Sequence, residues 1–171
     1  MVWNPAKAAF RAGSVSSTGW DNNNIGYFST AFGENPIAIG ISSIAVGTNV
    51  IASNGFSQAF GLSTTASGPA STAFGAFNTA SRDFASVFGY SNIASGFCSN
   101  TFGTSNNSIS YGETVLGIGA TNYIPTTNGN IQFRTTNRAD RLFVVGNAID
   151  TNNNNSVDPA ERSDALIILK S

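Results

Sequence analysis

The chain has no histidine and a single cysteine, and charged side chains make up only 10% of its 171 residues, against about 25% in ordinary soluble domains. Each shortage excludes something. Without histidine, and with no base evident beside Cys98, the familiar Ser-His-Asp and Cys-His arrangements cannot be assembled within the chain, so an enzyme is not expected. A lone cysteine excludes an intrachain disulfide framework, and Cys98, between Phe97 and Ser99, is read as a small packing residue. Eight scattered Lys and Arg against nine Asp and Glu leave a net charge of −1 and no basic stripe for a phosphate backbone, so no nucleic acid partner is expected. No apolar run approaches the roughly 18 residues that span a bilayer. The opening MVWNPAKAAF lacks the regions of a signal peptide, and direct membrane insertion is not expected.

What is present is polarity without charge, carried by Ser, Thr and 21 Asn, and a repeat. Gly33, Gly47, Gly61, Gly75, Gly89, Gly103 and Gly117 are spaced by fourteen residues without an insertion. Before them stand Phe32, Val46, Phe60, Phe74, Phe88, Phe102 and Leu116; one step earlier stand Ala31, Ala45, Ala59, Ala73, Val87, Thr101 and Val115. Ser29, Ser43, Ser57, Ser71, Ala85, Ser99 and Glu113 form a further column. Midway lies a weaker series, Gly26, Gly40, Asn54, Gly68, Arg82, Gly96 and Ser110, so the unit reads as two halves of seven residues. Glycine at the same place in each half is expected to supply the positive φ of a tight turn, which Asn54 tolerates and Arg82 does not.

Segments filled with Gly, Ser, Thr and Asn argue against helix and for short strands. Residues two apart in a strand share a face, so the Ala and Ser columns point one way and the Phe column the other. Alanines of the two halves then face each other across a thin core, and the Phe column lies outside as an apolar ridge. Seven coils about 4.8 Å apart make a stack on the order of 30 Å long. A long apolar ridge marks an interface, and the same ridge on another copy is the simplest partner, closed by symmetry into a homotrimer. The Phe32, Val46, Phe60, Phe74, Phe88, Phe102 and Leu116 column is therefore the expected trimer interface.

The pattern in SQAFGLSTTASG and STAFGAFNTAS resembles the head repeats of YadA-type trimeric autotransporter adhesins, over about residues 22–120. That resemblance implies a left-handed parallel β-roll of fourteen-residue coils, small residues inside, assembled as a trimer. The flanks KAAFRAG, WDNNNIG and RLFVVGNAI resemble fibre proteins of Bacteroidetes and their phages or injection particles, in which such repeats precede a self-cleaving chaperone. Neither a chaperone domain nor a translocator barrel follows the repeats, so the chain is expected to be a piece of a longer extracellular fibre, on a cell surface or on a virion or injection particle.

The expected fold is thus all-β: an N-terminal cap or connector over residues 1–21 with Trp3, Phe10 and Trp20, a parallel β-roll or solenoid over 22–120, and a small β cap over 121–171. Within the last, alternating residues predict strands at 130–135, 141–145 and 165–169, interleaved among three chains. Between them, DTNNNNSVDPAE places Asp150, Asn152, Asn154, Ser156, Asp158 and Glu161 at the ligand spacing of an EF-hand loop, with Asn155 where that loop has glycine. This makes a structural Ca²⁺ one reading and a self-bonded Asn-rich turn the other.

The expected function is a structural or adhesive module of a trimeric fibre that attaches to a cell-surface ligand, a glycan among the candidates. Phe56, Phe77, Tyr90 and Phe97 lie near turns, where they either stack on sugars or pack between coils. An ice- or crystal-surface-binding solenoid is the alternative, weakened because the outer ranks mix Ile39 with Ser53, and Thr65 and Thr79 with Ile93. A glycan-cleaving fibre domain would need carboxylates along the roll's outer face, where only Glu34, Asp83 and Glu113 are expected.

Overall fold

In the computed structural model, which describes residues 1–171 apart from the side chain of Thr135, the fourteen-residue period becomes a parallel β-solenoid with one long strand and one short strand in each coil. The long strands are β3 (Thr30–Glu34), β5 (Ile44–Thr48), β7 (Gln58–Leu62), β9 (Thr72–Ala76), β11 (Ser86–Tyr90), β13 (Asn100–Thr104) and β15 (Thr114–Ile118). The short ones are β4 (Ile37–Ala38), β6 (Ile51–Ala52), β8 (Thr65–Ala66), β10 (Thr79–Ala80), β12 (Ile93–Ala94) and β14 (Asn107–Ser108), which stack in order as a narrow six-stranded sheet. Register is in phase from coil to coil: Ala59 pairs with Ala73, Phe60 with Phe74 and Gly61 with Gly75. No α-helix occurs among the described residues.

The interior is as thin as its residues require. Ala31, Ala45, Ala59 and Ala73 on the broad sheet and Ala38, Ala52, Ala66 and Ala80 on the narrow one are all fully buried, facing each other as a core of methyl groups. Gly61 shows why the glycine column is invariant: its φ is +119°, and a Cβ there would lie 1.9 Å from the carbonyl oxygen of Gly75 in the next coil.

The turns differ from the expectation in one respect. Gly26, Gly40, Gly68 and Gly96 do not have positive φ; the left-handed residues lie two places on, at Phe28, Ser42, Phe56, Ala70, Phe84, Cys98 and Gly112, with φ of 52–66°. From Gly40 to Ser110 the carbonyl of the weaker-series residue accepts from the N–H three residues later, as Asn54 O does from Ser57 N at 3.1 Å, while Gly26 O accepts from the Ser29 hydroxyl at 2.6 Å. The left-handed residue is the third of a type II-like turn, in which Pro69 takes the second place suited to its fixed φ. Gly40 is glycine for a different reason: a Cβ would lie 1.9 Å from Asn54 O. Arg82 is accordingly accommodated without left-handed strain. Cys98, expected as a small packing residue, is in the left-handed column with a half-buried side chain.

At the other turn the inward column is Val50, Thr64, Asn78, Asn92 and Asn106, all fully buried. The three asparagines form a ladder. Asn92 Nδ2 donates to Phe88 O at 3.1 Å and Gly103 O at 2.6 Å, while its Oδ1 accepts from Asn106 N at 2.9 Å. Asn78 and Asn106 repeat the pattern one coil away on either side, ending where Ala120 N donates to Asn106 Oδ1. Each side chain therefore satisfies backbone groups of its own coil and the next, which is what a buried amide requires.

The roll's register runs past the repeat at both ends. The broad sheet has eleven strands, in the order β1 (Val2–Asn4), β2 (Ala9–Ser14), β3, β5, β7, β9, β11, β13, β15, β16 (Arg141–Asn147), β17 (Asp164–Leu169). Strand β2 pairs parallel with β3, Gly13 opposite Gly33; β16 pairs parallel with β15, Gly146 opposite Gly117 and Val144 opposite Val115. Only the outermost strands, β1 and β17, run antiparallel to their neighbours. Arg11 takes the inward place of the Ala column in β2 and is buried, its guanidinium donating to Ser29 O at 2.9 Å, Ala38 O at 2.9 Å and Ser29 Oγ at 2.7 Å. The Trp20 indole donates to Pro36 O at 3.1 Å, whereas Trp3 is largely exposed.

The strand predicted at 130–135 is absent. Asn128 is left-handed, and its carbonyl accepts from Ile131 and Gln132 N–H groups, closing a turn. Within the segment, Arg134 N donates to the Asn137 side-chain oxygen at 3.0 Å, so a side chain takes a backbone bond that a strand would use. The segment instead lies along the coil turns, where Asn130 O and Gly129 O accept from Phe97 N and Tyr111 N, each at 2.8 Å.

Candidate interaction surface

The Phe column lies on the outside of the broad sheet, as its alternation with the Ala column demands. Phe74 is 52% exposed, Phe32 40% and Phe102 38%, with Val46, Phe60, Phe88 and Leu116 half-buried by their neighbours in the column. Phe60 to Phe74, Phe74 to Phe88 and Phe88 to Phe102 have ring centroids 5.7, 6.2 and 5.2 Å apart, the last pair within 4° of parallel. Phe10 of β2 lies against Phe32 at 5.3 Å, so rings recur along the ridge from end to end apart from Val46 and Leu116. Burying a whole Phe side chain is worth about 1.5–3 kcal/mol, so covering the exposed half of each ring is worth roughly 1 kcal/mol per ring.

The sheet's C-terminal edge is also apolar and uncovered. In β17, Leu166, Ile167, Ile168 and Leu169 are each 43–49% exposed, and successive residues of a strand point to opposite faces, so neither face of this edge strand is buried. On the narrow face the outward rank runs Ile37, Ile51, Thr65, Thr79, Ile93, Asn107, a mixture on strands of two residues.

Aromatics at the turns behave in two ways. Phe77 meets Tyr90 edge-on at 5.6 Å, and Phe97 lies between Phe84 and Tyr111 at 5.6 and 5.1 Å, so these pack between coils. Phe56 is 64% exposed in a left-handed conformation.

Of the three carboxylates expected on the outer face, Glu113 is not there. It holds the inward Ser column's place in the last coil and is fully buried, Oε2 accepting from Ile109 N at 2.6 Å and Ser110 N at 2.9 Å while Oε1 has no partner. Burial raises its pKa above the ordinary carboxylate value despite those bonds and the nearby Arg141 and Lys170 charges. Burial also pushes Tyr123, 3.5 Å from that carboxylate, up to about 12. Arg141 stacks over the Tyr123 ring at 4.4 Å and pairs with Asp164 at 3.4 Å.

The loop after β16 folds on itself. Asp150 accepts from the N–H groups of Asn152, Asn154 and Asn155, the last at 2.8 Å; Asn152 and Asn154 donate from their amides to Asp158 Oδ2 at 2.7 and 3.0 Å. Asn155, at the place of the EF-hand glycine, is left-handed, a conformation that asparagine tolerates. Glu161 accepts from Thr151 N and Oγ1, both at 2.7 Å, and from Asp158 N, which holds its carboxyl below the ordinary value. Asp150, Asn152, Asn154 and Asp158 are thus brought together, with Ser156 contributing its N–H to Asn154 Oδ1. No group of three or more His, Cys, Asp or Glu side chains that could hold a metal ion forms among the described residues. A hard cation would need the two amides to turn their oxygens inward and give up the bonds Oδ1 now accepts from Asn154 N and Ser156 N.

No protein-family model and no curated protein matches the chain.

Proposed function

We propose that this chain is a structural and adhesive module of a homotrimeric extracellular fibre, on a bacterial cell surface or on a virion or injection particle, and that it mediates attachment to a cell-surface ligand. One observation carries the reading: the chain fills its narrow interior, yet leaves an apolar ridge half exposed along the broad sheet, its rings in contact from Phe60 to Phe102. Such a ridge is an interface, and a closed ring of copies covers it in each of them. The uncovered β17 agrees, since an edge strand apolar on both faces invites a neighbouring chain. In this assembly the residues after 121 cap the roll, and the neutral Ser, Thr and Asn surface faces the ligand in three copies, so weak contacts sum to avidity.

Retention of the labelled intact protein on cells or cell-envelope fragments tests the attachment role. Saturable retention, competed by unlabelled protein, is the expected result; its absence on every surface tried contradicts the role. A structural Ca²⁺ in the 150–161 loop is a separate proposal, supported by the convergence of Asp150, Asn152, Asn154 and Asp158. Isothermal titration with CaCl₂ alone tests it.

A further inference from the structure

A cleft of about 450 Å³ opens where the acidic loop stands against the edge of the broad sheet, and Tyr90, Ser91, Thr104, Ser105, Asn155 and Ser156 are among its lining residues. Its size lies within the roughly 300–1,000 Å³ of small-ligand sites. The floor is solenoid backbone, fixed by Ser105 N donating to Tyr90 O at 3.0 Å and Gly119 N to Thr104 O at 2.9 Å. From behind, Arg162 donates to Ser105 O at 2.7 Å and Ala120 O at 3.0 Å. The wall is equally set. Val157 packs against Gly119, where a Cβ would lie 2.5 Å from Val157 Cγ1, and the Asp150 carboxylate ties the loop to Asn155 N at 2.8 Å. The cleft is therefore preformed, which lowers the ordering cost of binding.

Its chemistry is specific. The Tyr90 ring is 52% exposed and held at a fixed angle by Phe77, so it offers a rigid aromatic surface. Around it, the hydroxyls of Tyr90, Ser91, Thr104, Ser105 and Ser156 form no hydrogen bond to the protein among the described residues. No Lys or Arg lines the cleft, and its one charged group, Asp150, is an acceptor. A ligand that fits has an apolar face for the ring, several hydroxyls for the surrounding donors and acceptors, and no negative charge.

We propose that this cleft binds a neutral saccharide, one pyranose ring lying on Tyr90 with its hydroxyls directed to the Ser, Thr and Asn side chains. The inference rests on the attachment reading and names its ligand class. The test applies the intact oligomer to a printed array of neutral and sialylated glycans, then titrates the best neutral glycan into wild type, Tyr90→Ala and, as a control outside the cleft, Phe56→Ala. Expected are binding to neutral glycans, an affinity loss of about tenfold or more in Tyr90→Ala, no change in Phe56→Ala, and an unchanged oligomer mass in both. A preference for sialylated glycans, no glycan binding, or full affinity in Tyr90→Ala overturns the saccharide proposal. So does a changed oligomer mass in Tyr90→Ala, which would make the cleft part of the subunit contact. Retention on cells that no neutral glycan competes sinks the saccharide alone; loss of retention altogether sinks the attachment reading.

Discussion

Two ladders repeat every fourteen residues in this solenoid, and they end in opposite conditions. The inner one, Asn78, Asn92 and Asn106, is fully buried, and every amide finds partners in its own coil and the next. The outer one, Phe60, Phe74, Phe88 and Phe102, stacks ring on ring yet keeps much of its area in water. The inner ladder fixes the coil within one chain, because a buried amide left unpaired is costly. The outer ladder is left half exposed by the rest of the chain, and in the proposed assembly its remaining burial comes from another copy. An interior made chiefly of alanine methyls contributes little burial per residue, so folding and association are expected to be coupled.

The largest effect should come from breaking the outer ladder. Replacing Phe60, Phe74 and Phe88 together with Ser should abolish the oligomer in sedimentation experiments and remove the β signal in circular dichroism at the same concentration. On the inner side, Gly61→Ala should be nearly as damaging, since a Cβ meets a carbonyl oxygen at 1.9 Å on a left-handed backbone; a loss of soluble folded protein is expected. Asn92→Leu should cost about 3 kcal/mol by leaving Asn106 N and two carbonyls without their partner, read as a lower melting temperature with the oligomer retained at low temperature.

Smaller effects sharpen the contrast at the roll's end. Burial raises the folded Glu113 pKa above its ordinary value of 4.5, so the folded state holds the proton more firmly than the unfolded chain. Its contribution to stability is then complete below that ordinary value and is lost as pH rises through the folded pKa. Glu113→Gln should flatten this pH dependence of the melting temperature; an identical profile in both proteins would contradict the assignment. The smallest expected change is a fall of a few degrees in melting temperature with EDTA, absent in Asp150→Ala with Glu161→Ala; no fall in the wild type would remove calcium.

The solenoid itself was legible in the sequence because its two strictest demands fall on residue types. Only glycine tolerates the contact at Gly61, and only small residues fill the space between Ala59 and Ala66. The left-handed turn column was not legible, because Phe28, Ser42, Ala70 and Cys98 share a conformation but no chemistry. The Asn ladder stood at the fourteen-residue spacing and went unread, since asparagine is so common here that a buried one gives no compositional signal. The continuation of the roll into β2 and into β16, itself expected as a strand at 141–145, was not legible for a topological reason: Gly13 precedes Gly33 by twenty residues and Gly146 follows Gly117 by twenty-nine, so insertions hide the period while the register persists. The strand expected at 130–135 failed because alternation reports a face to bury, whereas the Asn128 carbonyl and the Asn137 side chain set the local backbone bonds. For the surface, the Phe column was readable from alternation alone, whereas the Tyr90 cleft forms between residues far apart in the chain.

Sedimentation equilibrium of the wild-type protein across a hundredfold range of concentration tests the central claim most directly. A folded species of three times the 17.7 kDa chain mass at every concentration is predicted; a stable, folded monomer with full β signal would contradict it.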